Sequence, residues 1–324
     1  MFPTVFRLVL LTAIFLSCMS AQDEEWRMKM EHARRLESEG DPDAAADVIR
    51  AVMISLTKTN PRSPLLADAL GKLASLRQDR GAYGEAQQLY EQAVLTWEAQ
   101  PQPQSAGLAI TLNNLGSLYV ATGQLHKAEV AFRRSLTMRI GLFGTSSSPV
   151  ALCDSNLADD LVRQGRFSEA EALAHQAIDI WKGSIPVNSQ VDLAYNTLAL
   201  VDLQRANYAA AIDWAELALN EYAQRPAEPT RLIWYNHTLA LAKESKGDLN
   251  GAAQAFAEAF VTLKEMRSMR SPDRLGVLMD YASLLRRIGQ NGLARKIEKQ
   301  ADQETADLRK TNWFQFTVDV NALH

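Results

Sequence analysis

Catalysis or metal binding would need histidine, cysteine or carboxylate side chains at particular spacings, and the 324-residue chain offers no such group. Asp159 and Asp160 are adjacent and would face different directions on a helix. No glycine-rich phosphate loop and no nucleophile elbow occur. The histidines stand far apart, with no second His or Cys at metal-ligand spacing: His32, His126, His175, His237 and His324. We therefore expect no catalysis, no metal and no cofactor, with His126 and His175 at the surface.

Hydrogen bonding to a peptide main chain is the chemistry that the sequence does offer. The pair Asn113 and Asn114 is followed by Asn156 after 42 to 43 residues and by Asn196 after a further 40. An amide side chain has both a donor and an acceptor, so it can pair with a peptide backbone whatever the peptide's side chains are. These residues can act together only if the elements that bear them are stacked in register.

A repeat of about 42 residues supplies those elements. Segments beginning at Arg80, Thr122 and Gln164 align with one another, and each has a glycine at its start. The series extends in both directions through Gly40, Gly81, Gly123, Gly165, Ala206, Gly247 and Gly289. The steps are 41, 42, 42, 41, 41 and 42 residues. An irregular helical bundle needs no fixed period, so the sequence indicates a repeat array.

Two columns of tiny side chains accompany these turn positions. Five residues after each turn the chain has Ala45, Ala86, Ala128, Ala170, Ala211, Ala252 and Ala294. Seven residues before it are Ala33, Ala74, Gly116, Ala158, Ala199, Ala240 and Ala282. Only a tiny side chain lets two helices approach closely, so each unit is predicted to be a helical hairpin. Glycine ends the first helix of each hairpin by adopting the left-handed conformation, and prolines in the links open the next one.

The stretch from Thr111 to Tyr119, followed by Gly123 and Ala128, resembles the long tetratricopeptide repeats of kinesin light chains and many exported bacterial proteins. The resemblance covers residues 24 to about 308. It implies an all-α, right-handed α-solenoid superhelix of about seven hairpins. The units are expected at about 24–59, 60–100, 101–143, 144–184, 185–225, 226–268 and 269–308.

In the family that the chain resembles, the first helix of each hairpin lines a concave wall, and inward asparagines there hold the main chain of a bound peptide. The resemblance implies that function for Asn113, Asn114, Asn156 and Asn196, with Trp234 as an apolar anchor and His237 on the same wall. A solvated wall or a local helix–helix hydrogen bond is the alternative for any single asparagine. The central positions are neutral, which argues against a clamp for a C-terminal carboxylate. We expect Arg133, Arg134 and Arg139 on a solvated outer face.

Residues 1–21 have the order of a secretory signal peptide, with one basic residue, a short apolar run from Leu8 to Leu16 and a small-residue exit. The run is too short for a membrane span. Phe15-Leu16-Ser17-Cys18 also resembles a bacterial lipobox, so Cys18 is a candidate for lipidation. We expect an exported protein, in the periplasm or outside the cell, whose one contact with a membrane would be such an anchor or an uncleaved signal. Cys153 is then the single cysteine of the body and is expected to be a small buried side chain.

The net charge is −4, with 47% hydrophobic and 22% charged residues, which argues against nucleic acid as the main partner. Residues 309–324 leave the helical pattern: Phe314, Phe316, Val318 and Val320 alternate with polar residues like a strand. This tail could cap the last hairpins or add to a partner's sheet. The sequence as a whole favours a non-catalytic scaffold that binds a protein or peptide. A structural or assembly component of the bacterial envelope is the alternative.

Overall fold

The computed structural model describes residues 23–102, 104–183, 190–224, 228–266 and 272–310. This part of the chain contains fourteen α-helices and no strand. They are α1 (23–38), α2 (Pro42–Thr59), α3 (Pro64–Asp79), α4 (Tyr83–Glu98), α5 (Ala106–Ala121), α6 (Leu125–Phe143), α7 (Ser148–Arg163), α8 (Phe167–Gly183), α9 (Val191–Gln204), α10 (Tyr208–Gln224), α11 (Pro229–Lys246), α12 (Leu249–Glu265), α13 (Pro272–Arg287) and α14 (Asn291–Lys310). Consecutive helices pair into seven hairpins. The predicted signal peptide, Cys18 and the tail beyond residue 310 lie outside the described residues.

All seven turns close in the same left-handed geometry. The glycines at the turn positions have φ between +70° and +93°, which confirms the conformation predicted for them. Ala206 occupies the same turn position in the fifth hairpin with φ of +61°, a left-handed conformation that is strained for a residue with a Cβ. At the third turn Gly123 N donates to Val120 O at 3.0 Å and Gln124 N donates to Tyr119 O at 2.8 Å. This is a Schellman motif, which pairs the last carbonyls of the first helix.

The links between hairpins start the next helix as the sequence predicts. Pro64, Pro229 and Pro272 are the first residues of α3, α11 and α13. Proline is favoured there because the missing N–H has no partner inside the helix anyway. Side-chain caps help at the starts of α3 and α5, where Ser63 Oγ accepts from Leu65 N and Ser105 Oγ accepts from Leu108 N, both at 3.2 Å.

The two small-residue columns lie in the interior, where the helices of one hairpin cross. All seven alanines after the turns are fully buried, and the six alanines before the turns are at most 2% exposed. Gly116 is the seventh member of that column. A Cβ on Gly116 would lie 2.7 Å from the ring of Phe132, so the close approach at this hairpin requires glycine.

Stacking of the hairpins forms the solenoid. Each second helix packs on the first helix of the next hairpin, as α4 does on α5 and α6 on α7. The first helices also touch one another in sequence, from α3 through α5, α7 and α9 to α11, whereas second helices in the described part make no contact of comparable extent. The shorter path therefore runs along the first helices, which places them on the inner, concave side of the curve.

Four residues test the expectations for the outer face and the core. Arg133 and Arg134 are exposed and pair with glutamates, as expected for an outer face. The expectation for Arg139 is wrong: it is 4% exposed, and its Nη1 donates to Pro149 O at 2.5 Å, because the last turn of the long α6 packs against the start of α7. Cys153 is fully buried as predicted, and burial raises the pKa of its thiol to about 11.

Among the described helices, none is both long and apolar enough to span a membrane.

Candidate functional site

One face of each first helix forms the inner wall. Residues 13, 10, 6 and 3 positions before a turn fall on the same side of an α-helix, at spacings of three and four. In the third hairpin these are Ile110, Asn113, Ser117 and Val120. The fourth to sixth hairpins have Leu152, Ser155, Asp159 and Val162; Leu193, Asn196, Leu200 and Leu203; and Trp234, His237, Leu241 and Glu244. We call this face, over hairpins three to six, the inner stripe.

The inner stripe has a polar row between apolar rows. The polar row consists of Asn113, Ser155, Asn196 and His237, each ten residues before its turn, and of Asn114 and Asn156 beside them, each nine residues before its turn. On one side is an apolar row of Ile110, Leu152, Leu193 and Trp234, and Ile110 is 53% exposed. Leu200, Leu203 and Leu241 continue the apolar surface on the other side and are partly exposed. The sequence prediction named Trp234 and missed the rest, although stepping back from Trp234 by the repeat length of 41 or 42 residues reaches Leu193, Leu152 and Ile110.

Side-chain hydrogen bonds join the polar row from one hairpin to the next. Asn156 Nδ2 donates to Asn113 Oδ1 at 3.2 Å. His237 Nε2 lies 2.8 Å from Asp280 Oδ2 by the same step of 43 residues. These contacts hold the amide and imidazole groups at fixed positions along the wall.

The predicted site residues differ in how accessible they are. Asn113 is 5% exposed and lies at the helix–helix contact. Asn114, Asn156, Asn196, Trp234 and His237 are all partly exposed. The structure therefore brings these six residues to the first helices that form the wall. The bond between Asn113 and Asn156 is a helix–helix hydrogen bond, which was the alternative to peptide contact for a single asparagine. Contact between any of them and a peptide stays a prediction.

Several buried polar atoms of α7 and α9 have no hydrogen-bond partner among the described residues. They are Oδ1 and Oδ2 of Asp154, Oγ of Ser155 and Oδ1 of Asn196. Asp154 is fully buried, and desolvation raises the pKa of its carboxyl to about 7. Burying a polar group without a partner costs free energy. The first helices α7 and α9 thus retain unused hydrogen-bonding capacity.

No group of three or more metal-ligating side chains occurs in the described ranges. The arrangement presents amides, hydroxyls and apolar side chains along a curved wall. Such a wall can hold an extended chain by main-chain hydrogen bonds and apolar contacts.

Seven stacked hairpins with small residues at each crossing define an all-α solenoid, a class of fold that serves as a scaffold for protein–protein interaction. A family model described as tetratricopeptide repeat matches residues 65–140 and 149–224. Over these two ranges, 65–140 and 149–224, the chain has the pattern of tetratricopeptide repeats.

Solved structures with the same fold have low sequence identity to this chain. A Rap protein complexed with competence and sporulation factor is 15% identical, with a TM-score of 0.67 over 89% of this chain and 76% of that one. A tetratricopeptide repeat protein from Parabacteroides merdae is 14% identical, with a TM-score of 0.56 over 89% and 97%. BtubC from P. vanneervenii is 20% identical, with a TM-score of 0.51 over 75% and 92%. No curated protein matches the chain.

Proposed function

We propose that the inner stripe binds an extended peptide or protein segment and that the protein is a non-catalytic scaffold. The observation that supports this most directly is the polar row flanked by apolar rows on the concave side. Packed helices are about 8–10 Å apart, and an extended chain advances about 3.3 Å per residue. One hairpin therefore matches about three residues of a bound segment.

The polar row would pair with the main chain of that segment. Asn156 has a second amide hydrogen and its own oxygen free of the bond to Asn113. The unpartnered Oδ1 of Asn196 would accept a peptide N–H after rotation of the side chain. The ligand would gain hydrogen bonds that the free protein lacks.

The apolar rows would select for apolar side chains in the ligand. Charged groups at the centre of the stripe pair with one another, as Arg163 Nε does with Asp159 Oδ2 at 3.1 Å. No cluster of unpaired cations that would clamp an acidic ligand stands among the residues of the inner stripe. The ligand we propose is a segment with apolar side chains.

We further propose that the protein acts outside the cytoplasm, because residues 1–21 have the order of an export signal. Lipidation at Cys18 would then tether the solenoid to a membrane. A detergent-partitioning assay of the full chain and of Cys18→Ser, with mass measurement of the N-terminus, tests this. A water-soluble wild type without lipid would exclude the anchor.

Assembly through a surface outside the groove is the second candidate. Leu142 and Phe143 at the end of α6 are 42% and 47% exposed, next to Ile140 at 37%. An exposed apolar patch of this kind favours a protein contact. Self-association measured by sedimentation that disappears in Leu142→Ser/Phe143→Ser would support the assembly function.

The experiment for the groove compares variants of the full chain. Peptides are selected against the wild type from a display library, and the Kd of the best one is measured by calorimetry. Asn114→Ala/Asn156→Ala/Asn196→Ala should weaken binding at least tenfold with an unchanged helical circular dichroism spectrum. Asn220→Ala, at an exposed site on α10, is the matched control and should bind like the wild type. Equal affinity in the triple variant would refute the groove proposal.

A further inference from the structure

The solenoid ends on a polar surface. The outward face of α14 is a shallow depression lined by Lys296, Lys299, Gln300, Gln303, Glu304 and Asp307. Its buried residues, such as Ala294 and Ile297, face α13 instead. A segment rich in apolar side chains would therefore find little to pack against on this end of the molecule.

The inner wall of the last three hairpins is different, because several of its apolar side chains are exposed or partly exposed. Leu200, Leu203, Trp234 and Leu241 are partly exposed, and Met279 of α13 is 50% exposed. We call these five residues the C-terminal wall. The bond between His237 and Asp280 places the middle of α13 beside α11, and Met279 precedes Asp280 there.

A gap lies in the same wall one hairpin beyond Trp234. Position 13 before the turn is apolar from Ile110 to Trp234, but in the last hairpin it is Gly276. A Cβ placed on Gly276 would meet no atom within 4 Å. The row thus leaves space for an inserted side chain at its C-terminal end.

The chain continues for 14 residues after Lys310, and five of the first ten are large and apolar: Trp313, Phe314, Phe316, Val318 and Val320. Arg274 Nε and Nη2 pair with Glu304 Oε2 and Oε1 at 2.6 and 3.0 Å, which fixes the last turns of α14 beside the start of α13. Extended, 14 residues reach about 46 Å. Adjacent packed helices are about 10 Å apart, so this length is enough to cross α13 and α11 and reach α9.

We propose that residues 311–324 fold back onto the C-terminal wall and place the apolar side of their alternation against Trp234, Leu241 and Met279. The tail then occupies the last part of the inner surface and covers the partly exposed side chains of the C-terminal wall. A partner that needs Trp234 must displace the tail, whereas the polar row at Asn113 and Asn156 stays open. This docking does not depend on whether the groove binds a partner.

Hydrogen exchange of the full chain tests the contact. In Phe314→Ser/Phe316→Ser, amides of α11 and α13 should exchange at least several-fold faster than in the wild type, with α3 to α6 unchanged. Gln315→Ala/Thr317→Ala alters the opposite side of the alternation and should leave the exchange of α11 and α13 as in the wild type. Unchanged exchange in the Phe variant, or equal acceleration in both variants, would overturn the proposal.

A disulfide test decides whether the tail of the same molecule is the occupant. The pair Met279→Cys/Phe316→Cys is made in a Cys18→Ser background, where the remaining Cys153 is fully buried. Oxidation should give a cross-linked monomer. The control pair Leu217→Cys/Phe316→Cys, with Leu217 on the exposed face of α10, should give no cross-link. A cross-linked dimer would mean that a second copy supplies the tail, and no cross-link at all would mean that the wall is covered by neither; both results contradict the proposal. The peptide-affinity variants at Asn114, Asn156 and Asn196 are read separately, so the two proposals can fail independently.

Discussion

Asn156 of α7 donates a hydrogen bond from Nδ2 to Oδ1 of Asn113 of α5, one hairpin away, at 3.2 Å. The bond joins the first helices of neighbouring hairpins directly, on the side where the curve is tightest. It belongs to the register of the array, because the same step of 43 residues joins His237 to Asp280. The polar row therefore contributes to stability as well as to the proposed binding.

A double-mutant cycle would measure that bond. Asn113→Ala and Asn156→Ala should each lower the free energy of unfolding, by about 1 kcal/mol for a typical lost hydrogen bond. The double variant should lose less than the sum of the two, because the second change removes a bond that is already broken. Urea unfolding followed by circular dichroism gives the coupling, and strict additivity would show that the contact contributes nothing.

Ala206 gives a test of turn strain. A non-glycine residue in the left-handed region costs about 1–2 kcal/mol, so Ala206→Gly, at φ of +61°, should raise the unfolding free energy by about 1 kcal/mol. Gly165→Ala is the converse: its φ is +76° and an added Cβ would meet nothing within 4 Å, so strain alone should lower stability by a similar amount. Thermal unfolding of both variants should show shifts of opposite sign. Shifts of the same sign would contradict the strain argument.

Gly116 tests close packing at a crossing. An added Cβ would lie 2.7 Å from the ring of Phe132, which is 1% exposed and cannot swing into solvent. Gly116→Ala should therefore lower the unfolding free energy by about 1–3 kcal/mol. Phe132→Leu in the same chain should restore part of that loss by vacating the space. If Gly116→Ala unfolds like the wild type, the crossing is looser than the structure has it.

Asp154 should make the stability depend on pH. Its pKa is raised from 3.8 to about 7 by burial alone, so the folded state holds the proton more tightly than the unfolded state does. Stability from this group is present below about pH 4 and is lost as pH rises to about 7. At about 1.4 kcal/mol per pKa unit the loss is at most about 4 kcal/mol.

Asp154→Asn should remove that loss, since a neutral amide does not titrate. The measurement is the Tm at pH 5 and at pH 8, with a smaller difference between the two expected in Asp154→Asn than in the wild type. Asp159→Asn is the matched control, because Asp159 lies on the same helix in a partly exposed pair with Arg163. A pH dependence that Asp154→Asn leaves intact must come from another group. Asp160 is the first to examine, because burial also raises its pKa to about 7.

The sequence predicts much of the fold because the repeat imposes one geometry on every unit. The turn positions from Gly40 to Gly289 and the alanines five residues later sit where only a small side chain or a left-handed residue fits. Ala206 shows that the period identifies a turn even where the residue type does not.

Single side chains are less predictable, because burial depends on helices distant in sequence. Arg139 was expected in solvent, yet the added length of α6 presses it against the next hairpin. Asn113 and Asn156 share a chemical type but not an environment, since one is buried and the other partly exposed. Likewise, Asp154 occupies a position that is Leu70 and Leu112 in the preceding hairpins, and no local pattern predicts a carboxyl there.

The first helices touch in sequence along the concave side, and this has a mechanical consequence. A solenoid whose helices touch on the concave side and are further apart on the convex side can extend under tension as a coil spring does. Tension on its two ends separates the inner contacts from α3 to α11 a little at each hairpin, and the small separations add into a large change of length. Any segment lying along several hairpins would resist that extension and stiffen the coil.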